Sequence, residues 1–120
     1  MDINLQHERV DGESILHLSG EIDMATAPAF RDAALRAIAE DGPSLTLDLS
    51  GVTFMDSTGL HVLVGTYRRV RIHGGTFTMR NIPDIVRKLL RVTGLDNVLL
   101  APPAPRAGTD ETAAVDAAST

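Results

Sequence analysis

The stretch from residue 45 to residue 75 constrains the fold of this chain most strongly. Leu45, Leu47 and Leu49 alternate with polar residues, and the sequence Met-Asp-Ser-Thr-Gly follows at residues 55–59, ahead of a helical pattern that stops at two glycines. This order predicts a buried strand, a tight turn and a helix that begins at or beside Ser57. A hydroxyl then lies at a helix N-terminus, where free amides and the helix dipole favour an anion, including a phosphate on the serine itself.

Composition narrows what such a site can do. The 120 residues suffice for one domain, and the absence of cysteine excludes disulfides and thiolate metal sites. We expect no metal and no cofactor. A net charge of -5 and an aromatic content of 3% argue against direct nucleic-acid binding. The N-terminus does not resemble a secretory leader, and no run approaches the ~20 apolar residues of a membrane span. We therefore expect a soluble cytoplasmic protein without a membrane partner.

The first 43 residues predict a hairpin followed by a helix. Loose alternation over Ile3 to Val10 and Ser14 to Ser19 indicates two antiparallel strands, and the Asp11-Gly12 dipeptide between them is typical of a tight turn. Thr26 is predicted to cap the first helix, with Pro28 in its first turn. The residues at 41–43, Asp-Gly-Pro, end this helix.

The residues after the two glycines continue the alternation. Thr76 to Arg80 is a predicted short strand, and a third helix is expected from Pro83 to a stop at Gly94. Its predicted inward face comprises Ile85, Val86, Leu89 and Leu90. Asn97 to Leu100 is interpreted as a last edge strand. Residues 101–120 are rich in Ala, Pro and Thr and predict a flexible tail, because they offer almost nothing to bury.

This element order predicts an α/β fold: a mixed sheet with an opening β-hairpin, alternating β/α units and helices packed on the sheet. Right-handed crossovers and parallel strand pairs follow from the alternation of strands and helices. The predicted domain covers residues 1–100.

Five separated motifs carry a resemblance to a known family. They read Gly20-Glu21-Ile22-Asp23, Phe54-Met55-Asp56-Ser57-Thr58-Gly59-Leu60, Val64-Gly65-Thr66-Tyr67, Gly74-Gly75 and Val92-Thr93-Gly94-Leu95. Together they resemble the anti-sigma factor antagonists of the STAS domain family, over roughly residues 1–100. Agreement of several separated motifs is far more specific than any one of them.

The resemblance implies a partner-binding switch and no enzymatic activity. In such proteins the unmodified form binds an anti-sigma factor that is also a serine kinase, and thereby frees a sigma factor. Phosphorylation of the serine after the motif aspartate ends that binding, and in this chain the serine is Ser57. The kinase brings its own ATP and Mg²⁺, and the resemblance leaves open a serine phosphatase as a further partner.

The resemblance also implies which residues meet the partner. Carried over by motif position, they are Asp23, Asp56, Ser57, Thr58, Gly59 and His61. Simpler structural interpretations stand beside these roles: Ser57 as an ordinary helix cap, Thr58 as first-turn structure, Gly59 as a point of close packing, and Asp23 as a solvated loop acid. His61 departs from the small glycine usual in the family, which bears on partner fit.

Enzymatic functions for the same residues are disfavoured by the sequence. An aspartic protease needs two copies of Asp-Thr-Gly or Asp-Ser-Gly, whereas Thr58 interrupts the one copy here. A serine hydrolase needs a Gly-x-Ser-x-Gly elbow, and position 55 is Met. A receiver-type phosphoacceptor at Asp48 lacks the acidic pair and the late-strand lysine of receivers. A STAS module that binds another signalling partner, and a small phosphotransfer enzyme, remain alternatives.

Overall fold

The structure is a computed structural model and describes residues 2–100. Its strands are β1 (Ile3–Val10), β2 (Glu13–Ile22), β3 (Leu45–Met55) and β4 (Phe77–Arg80). Its helices are α1 (Ala27–Asp41), α2 (Ser57–Ile72), α3 (Asp84–Val92) and α4 (Asp96–Leu99). The predicted tail at 101–120 lies outside the described residues.

The four strands form one mixed sheet in the order β1-β2-β3-β4. β1 and β2 are antiparallel and are joined by Asp11 and Gly12, whose φ angles of 53° and 81° give the left-handed turn expected for this dipeptide. β2, β3 and β4 run parallel, each pair connected through a helix. The predicted mixed sheet with an opening hairpin is therefore confirmed.

The core lies between one face of this sheet and the helices α1, α2 and α3. Its largest fully buried side chains are Phe30, Leu16, Leu18, Ile22, Leu45, Leu47, Leu49, Leu63, Leu90, Val70 and Val86. The three leucines of β3 are at most 1% exposed. Successive strand residues point to opposite faces, so the polar residues between these leucines lie on the other side of the sheet.

Two predictions at the C-terminal end are wrong. Residues 96–99 form the short helix α4 instead of an edge strand; Leu99 N donates to Leu95 O at 2.8 Å, and Leu99 is 3% exposed. The spacing of these two leucines is helical, and the apolar run at 98–100 obscured it. On α3, Ile85 is 44% exposed, because Val86 and Leu90 one turn apart occupy the inward face.

The end of β3 projects past β4. β4 pairs with β3 only from Leu45 to Asp48, whereas β2 accompanies β3 as far as the pair Ile22 and Met55. β3 is therefore longer than the alternating leucines indicated. The carboxyl ends of β2 and β3 form one edge, from which the chain enters α1 and α2.

Candidate functional site

The parallel ends of β2 and β3 bring two separated sequence motifs together. Ile22 and Met55 are register partners, and Asp56 N donates a hydrogen bond to Ile22 O at 3.1 Å. Asp23 and Asp56 each come directly after these paired residues. The two predicted partner-binding motifs therefore lie side by side at one edge of the sheet.

Asp56 is the N-cap of α2. Its Oδ1 accepts hydrogen bonds from Thr58 N at 2.9 Å and from Gly59 N at 3.4 Å, and the Thr58 hydroxyl donates to the same oxygen. The hydrogen bond from the Thr58 hydroxyl, followed by those from backbone amides, holds the pKa of Asp56 below its ordinary value. A negative charge is thus fixed at the start of the helix, where the dipole favours it.

This geometry corrects the predicted helix terminus in two respects. Ser57 is the first residue of α2 and not its cap, since Asp56 fills that role. The amides of Thr58 and Gly59 are not free for a phosphate, because the Asp56 carboxylate already occupies them. Ser57 itself is exposed, and within residues 2–100 its hydroxyl makes no hydrogen bond.

The other predicted site residues of α2 take different positions. Gly59 is buried, and a Cβ atom there would lie 2.7 Å from Ile22 Cγ2 and 2.7 Å from Met55 Cγ. Glycine at this position thus allows α2 to approach the ends of β2 and β3 closely. His61 is exposed and lies one helical turn from Ser57, on the same face of α2.

Asp23 organises the turn between β2 and α1. Its Oδ1 accepts from Ala25 N at 2.9 Å and from Thr26 N at 3.1 Å. The Thr26 hydroxyl accepts from Asp23 N at 2.9 Å and donates to Glu21 O at 2.7 Å. Thr26 holds the N-cap position, but its predicted side-chain cap is wrong because the hydroxyl faces back toward β2. At the tip of this turn Met24 is 77% exposed.

A second polar cluster lies on the sheet face opposite the helices. His17 Nε2 lies 2.7 Å from Glu8 Oε1, and His17 Nδ1 lies 2.9 Å from Asp48 Oδ2. Asp48 Oδ1 accepts from Asn81 Nδ2 at 3.2 Å and from Ser50 N at 3.0 Å. The sequence did not reveal this cluster, because its members come from three strands and a turn whose register only the fold defines.

Both His17 nitrogens face a carboxylate oxygen, and only the protonated ring can donate to both, so this geometry favours the imidazolium. The hydrogen bond to Glu8 is the main cause that raises the pKa of His17, and Asp48 adds to it. Burial alone would raise the pKa of Asp48, but the hydrogen bonds from Ser50, Asn81 and His17 hold it below the ordinary value. Asp48 therefore stays charged despite its burial because it is paired.

The same cluster argues against Asp48 as a receiver-type phosphoacceptor. Asp48 is the fourth of the eleven residues of β3 and is 7% exposed, rather than standing at the open end of the strand. Its two oxygens are occupied by His17, Ser50 and Asn81. A buried and fully paired carboxylate does not present a phosphoacceptor.

Within the described part of the chain, no group of three or more His, Asp and Glu side chains could hold a metal ion. Among residues 2–100, no helix has the length and apolarity that crossing a membrane requires.

The fold and the site together define a STAS-type module. Its features are an opening hairpin, a parallel β2-β3-β4 unit and an exposed serine after a capping aspartate. A family model described as the STAS domain matches residues 4–109, and this chain belongs to the STAS domain family. The predicted family membership is confirmed.

Several proteins similar to this chain are described as anti-sigma factor antagonists. This chain is 35% identical over 99 residues to the anti-sigma-B factor antagonist of Bacillus subtilis (strain 168), covering 82% of this chain and 90% of that protein. The crystal structure of an anti-sigma factor antagonist from Mycobacterium paratuberculosis superposes with a TM-score of 0.71 at 35% identity, covering 96% of this chain and 95% of that one. The Bacillus cell fate determinant SpoIIAA in its phosphorylated form shares the fold at 22% identity, with a TM-score of 0.65 over 92% of this chain and 99% of that one.

Proposed function

We propose that this protein is an anti-sigma factor antagonist that acts as a partner switch in the cytoplasm. Its unphosphorylated form binds an anti-sigma factor with serine kinase activity and frees a sigma factor. Phosphorylation of Ser57 ends the binding. The chain itself catalyses nothing: it supplies the acceptor hydroxyl, and the kinase supplies ATP and Mg²⁺. The observation that carries this proposal is the exposed Ser57 hydroxyl beside a capping aspartate at the edge formed by β2 and β3.

The contrast between neighbouring hydroxyls supports Ser57 as the acceptor. Thr58 is half-buried, and its hydroxyl donates to Asp56 Oδ1. A kinase would have to break that hydrogen bond to reach Thr58, and would weaken the helix cap by doing so. Ser57 requires neither step, because its hydroxyl is exposed.

Charge supports the direction of the switch. A phosphate adds about -1.5 to -2 charges next to Asp56, which is already ionised. It cannot take the amides of Thr58 and Gly59 without displacing that carboxylate. A partner surface that accommodates a neutral hydroxyl would then have to desolvate two neighbouring anions, and the mispaired charge costs several kcal/mol. Because the cap of α2 stays in place, phosphorylation weakens binding to the partner and leaves the fold intact.

The proposed partner surface comprises Asp23, Asp56, Ser57, Thr58 and His61, with Gly59 packed beneath it. A serine phosphatase is the proposed partner that resets the switch. SpoIIAA has the same fold and exists in a phosphorylated form, which supports the view that such a domain survives the modification.

The test is to locate the phosphate. Wild-type protein, Ser57→Ala and Thr58→Ala are each incubated with ATP and a purified serine-kinase anti-sigma factor from the source organism, and the site is mapped by mass spectrometry. We expect one phosphate on Ser57, none on Ser57→Ala and full labelling of Thr58→Ala.

Two results would contradict the proposal. Phosphate on Thr58, or full labelling of Ser57→Ala, would show that the assigned acceptor is wrong. Labelling or ATP turnover by the chain without any kinase would show that it is an enzyme.

A further inference from the structure

Met24 is an exposed apolar side chain in a turn that is held rigidly. It is 77% exposed, and it follows Asp23 directly at the edge where α2 begins. Five hydrogen bonds that involve side chains join Asp23, Ala25, Thr26 and Glu21 within the turn. The exposure of Met24 is therefore built into the backbone conformation rather than produced by a loose loop.

The same hydrogen bonds assign a structural task to Asp23. Its Oδ1 accepts from the amides of both Ala25 and Thr26, on either side of the tip. A carboxylate oxygen used in this way sets the direction of the turn. The turn thereby presents Met24 at its tip.

We propose that Met24 is the anchor by which this chain enters an apolar pocket on the anti-sigma factor, and that Asp23 is a positioning residue that holds Met24 there. This inference rests on the proposed function and adds to it the chemistry of the partner surface. An unbranched, polarisable side chain fits pockets of irregular shape. A rigid turn also loses little conformational entropy when it binds, which favours affinity.

The position of Met24 identifies its partner. The turn is continuous with the Ser57 surface, because Asp56 N is hydrogen-bonded to Ile22 O only two residues before Met24. A protein that covers the Ser57 end of this edge is therefore well placed to contact Met24. Ile72 is as exposed, at 80%, but it lies at the far end of α2, about 22 Å from Ser57 along the helix axis. It provides a matched control outside the proposed surface.

The first experiment compares Met24→Ala with Ile72→Ala in binding to the purified, unphosphorylated anti-sigma factor, using isothermal titration calorimetry. Met24→Ala is expected to weaken binding about tenfold or more, the usual effect of truncating a buried anchor. Ile72→Ala is expected to stay within about twofold of wild type. Equal affinities for the two variants would overturn the proposal.

The second experiment separates positioning from charge at Asp23. Asp23→Asn keeps an oxygen that can accept from the amides of Ala25 and Thr26 but removes the charge, whereas Asp23→Ala removes both. If Asp23 positions Met24, Asp23→Ala weakens binding and Asp23→Asn restores most of the affinity. If Asp23→Asn is as weak as Asp23→Ala, the carboxylate itself meets the partner and the positioning role is wrong.

The outcomes distinguish this inference from the proposed function. If wild type binds, Ser57→Asp does not, and Met24→Ala binds like Ile72→Ala, the switch stands and the anchor is rejected. If wild type binds no anti-sigma factor, the proposed function fails and the anchor fails with it. Circular dichroism spectra identical to wild type are required of every variant, so that unfolding is not counted as lost binding.

Discussion

Asp48 lies within β3 and Asp56 directly follows it, and the two differ in whether the polar groups beside them are already hydrogen-bonded. Within β3, both oxygens of the Asp48 carboxylate are hydrogen-bonded, to His17, Ser50 and Asn81. Around Asp56, just past the end of β3, the carboxylate is also occupied, but the next hydroxyl, on Ser57, is exposed. Roughly 25 Å of strand separates the two positions.

The difference shows how a polar cluster that stabilises the fold can be told from one available to a partner. Buried polar groups are costly unless paired, so a saturated cluster such as that of Asp48 contributes stability and has no bonding capacity left. At the Ser57 end the helix cap is complete without the serine, so Ser57 can change its chemistry without loss of structure. Substitutions around Asp48 should therefore lower the stability of the fold, whereas substitutions at Ser57 should change binding to the partner.

The largest expected effect is on binding at the Ser57 end. Ser57→Asp places a second carboxylate beside Asp56, and we expect at least about a hundredfold loss of affinity for the anti-sigma factor, or roughly 2.7 kcal/mol. Its unfolding free energy should change by less than about 0.5 kcal/mol, since the side chain is exposed. Calorimetric titration and urea unfolding measure the two quantities on the same protein.

Ser57→Ala is the matched control, because it removes the hydroxyl without adding charge. It should bind like wild type. If Ser57→Ala loses as much affinity as Ser57→Asp, the hydroxyl itself makes an essential contact and the electrostatic account of the switch is wrong.

A smaller effect, on stability, is expected in the Asp48 cluster. Asp48→Ala leaves His17, Asn81 and the amide of Ser50 without their partner, and should lower the unfolding free energy by about 2 to 3 kcal/mol in urea titrations. Binding to the anti-sigma factor should change little. Asp32→Ala, at an exposed site on α1 whose ion pair is 3.8 Å long, should cost less than about 0.5 kcal/mol. A similar cost for both variants would remove the distinction between the two regions.

These regions also differ in how far the sequence predicts them. The start of α2 at Ser57 follows from local signals, since apolar alternation, a tight turn and a helical stripe all lie within about 30 residues. The family motif then predicts Ser57 as the phosphorylated residue. The simpler interpretation of Ser57 as the helix cap does not hold, because Asp56 is the cap. Both residue types cap helices, and only the direction of the side chain decides between them.

The Asp48 cluster and the Met24 turn required the fold itself. Glu8, His17 and Asp48 become neighbours through strand register, and a shift of one residue would place them on the other face. For Met24 the sequence offered one weak signal, a large apolar residue directly after a turn-forming aspartate, which propensity alone cannot separate from a buried position. The prediction of an edge strand at residues 97–100 was wrong for a related reason, since a short apolar run fits a strand or a helix equally well.

The smallest predicted effect is the pH dependence of stability that comes from His17. The pKa of His17 is raised above 6.5 by Glu8 and Asp48, so the folded state binds its proton more tightly than the unfolded chain does. Its contribution is fully present below about pH 6.5 and is lost as the pH rises through the folded-state pKa. We expect this loss to stay below about 1 kcal/mol, because Glu8 is exposed and solvent screens the pair.

Urea unfolding of wild type and His17→Gln between about pH 5 and pH 8 measures this contribution. Glu8 from β1 and Asp48 from β3 are the carboxylates that contact His17. Both favour the imidazolium. Wild type should therefore lose stability relative to His17→Gln as the pH rises. If the difference in unfolding free energy between wild type and His17→Gln stays constant or grows with pH, the charged His17 ring does not stabilise the contacts among β1, β2 and β3.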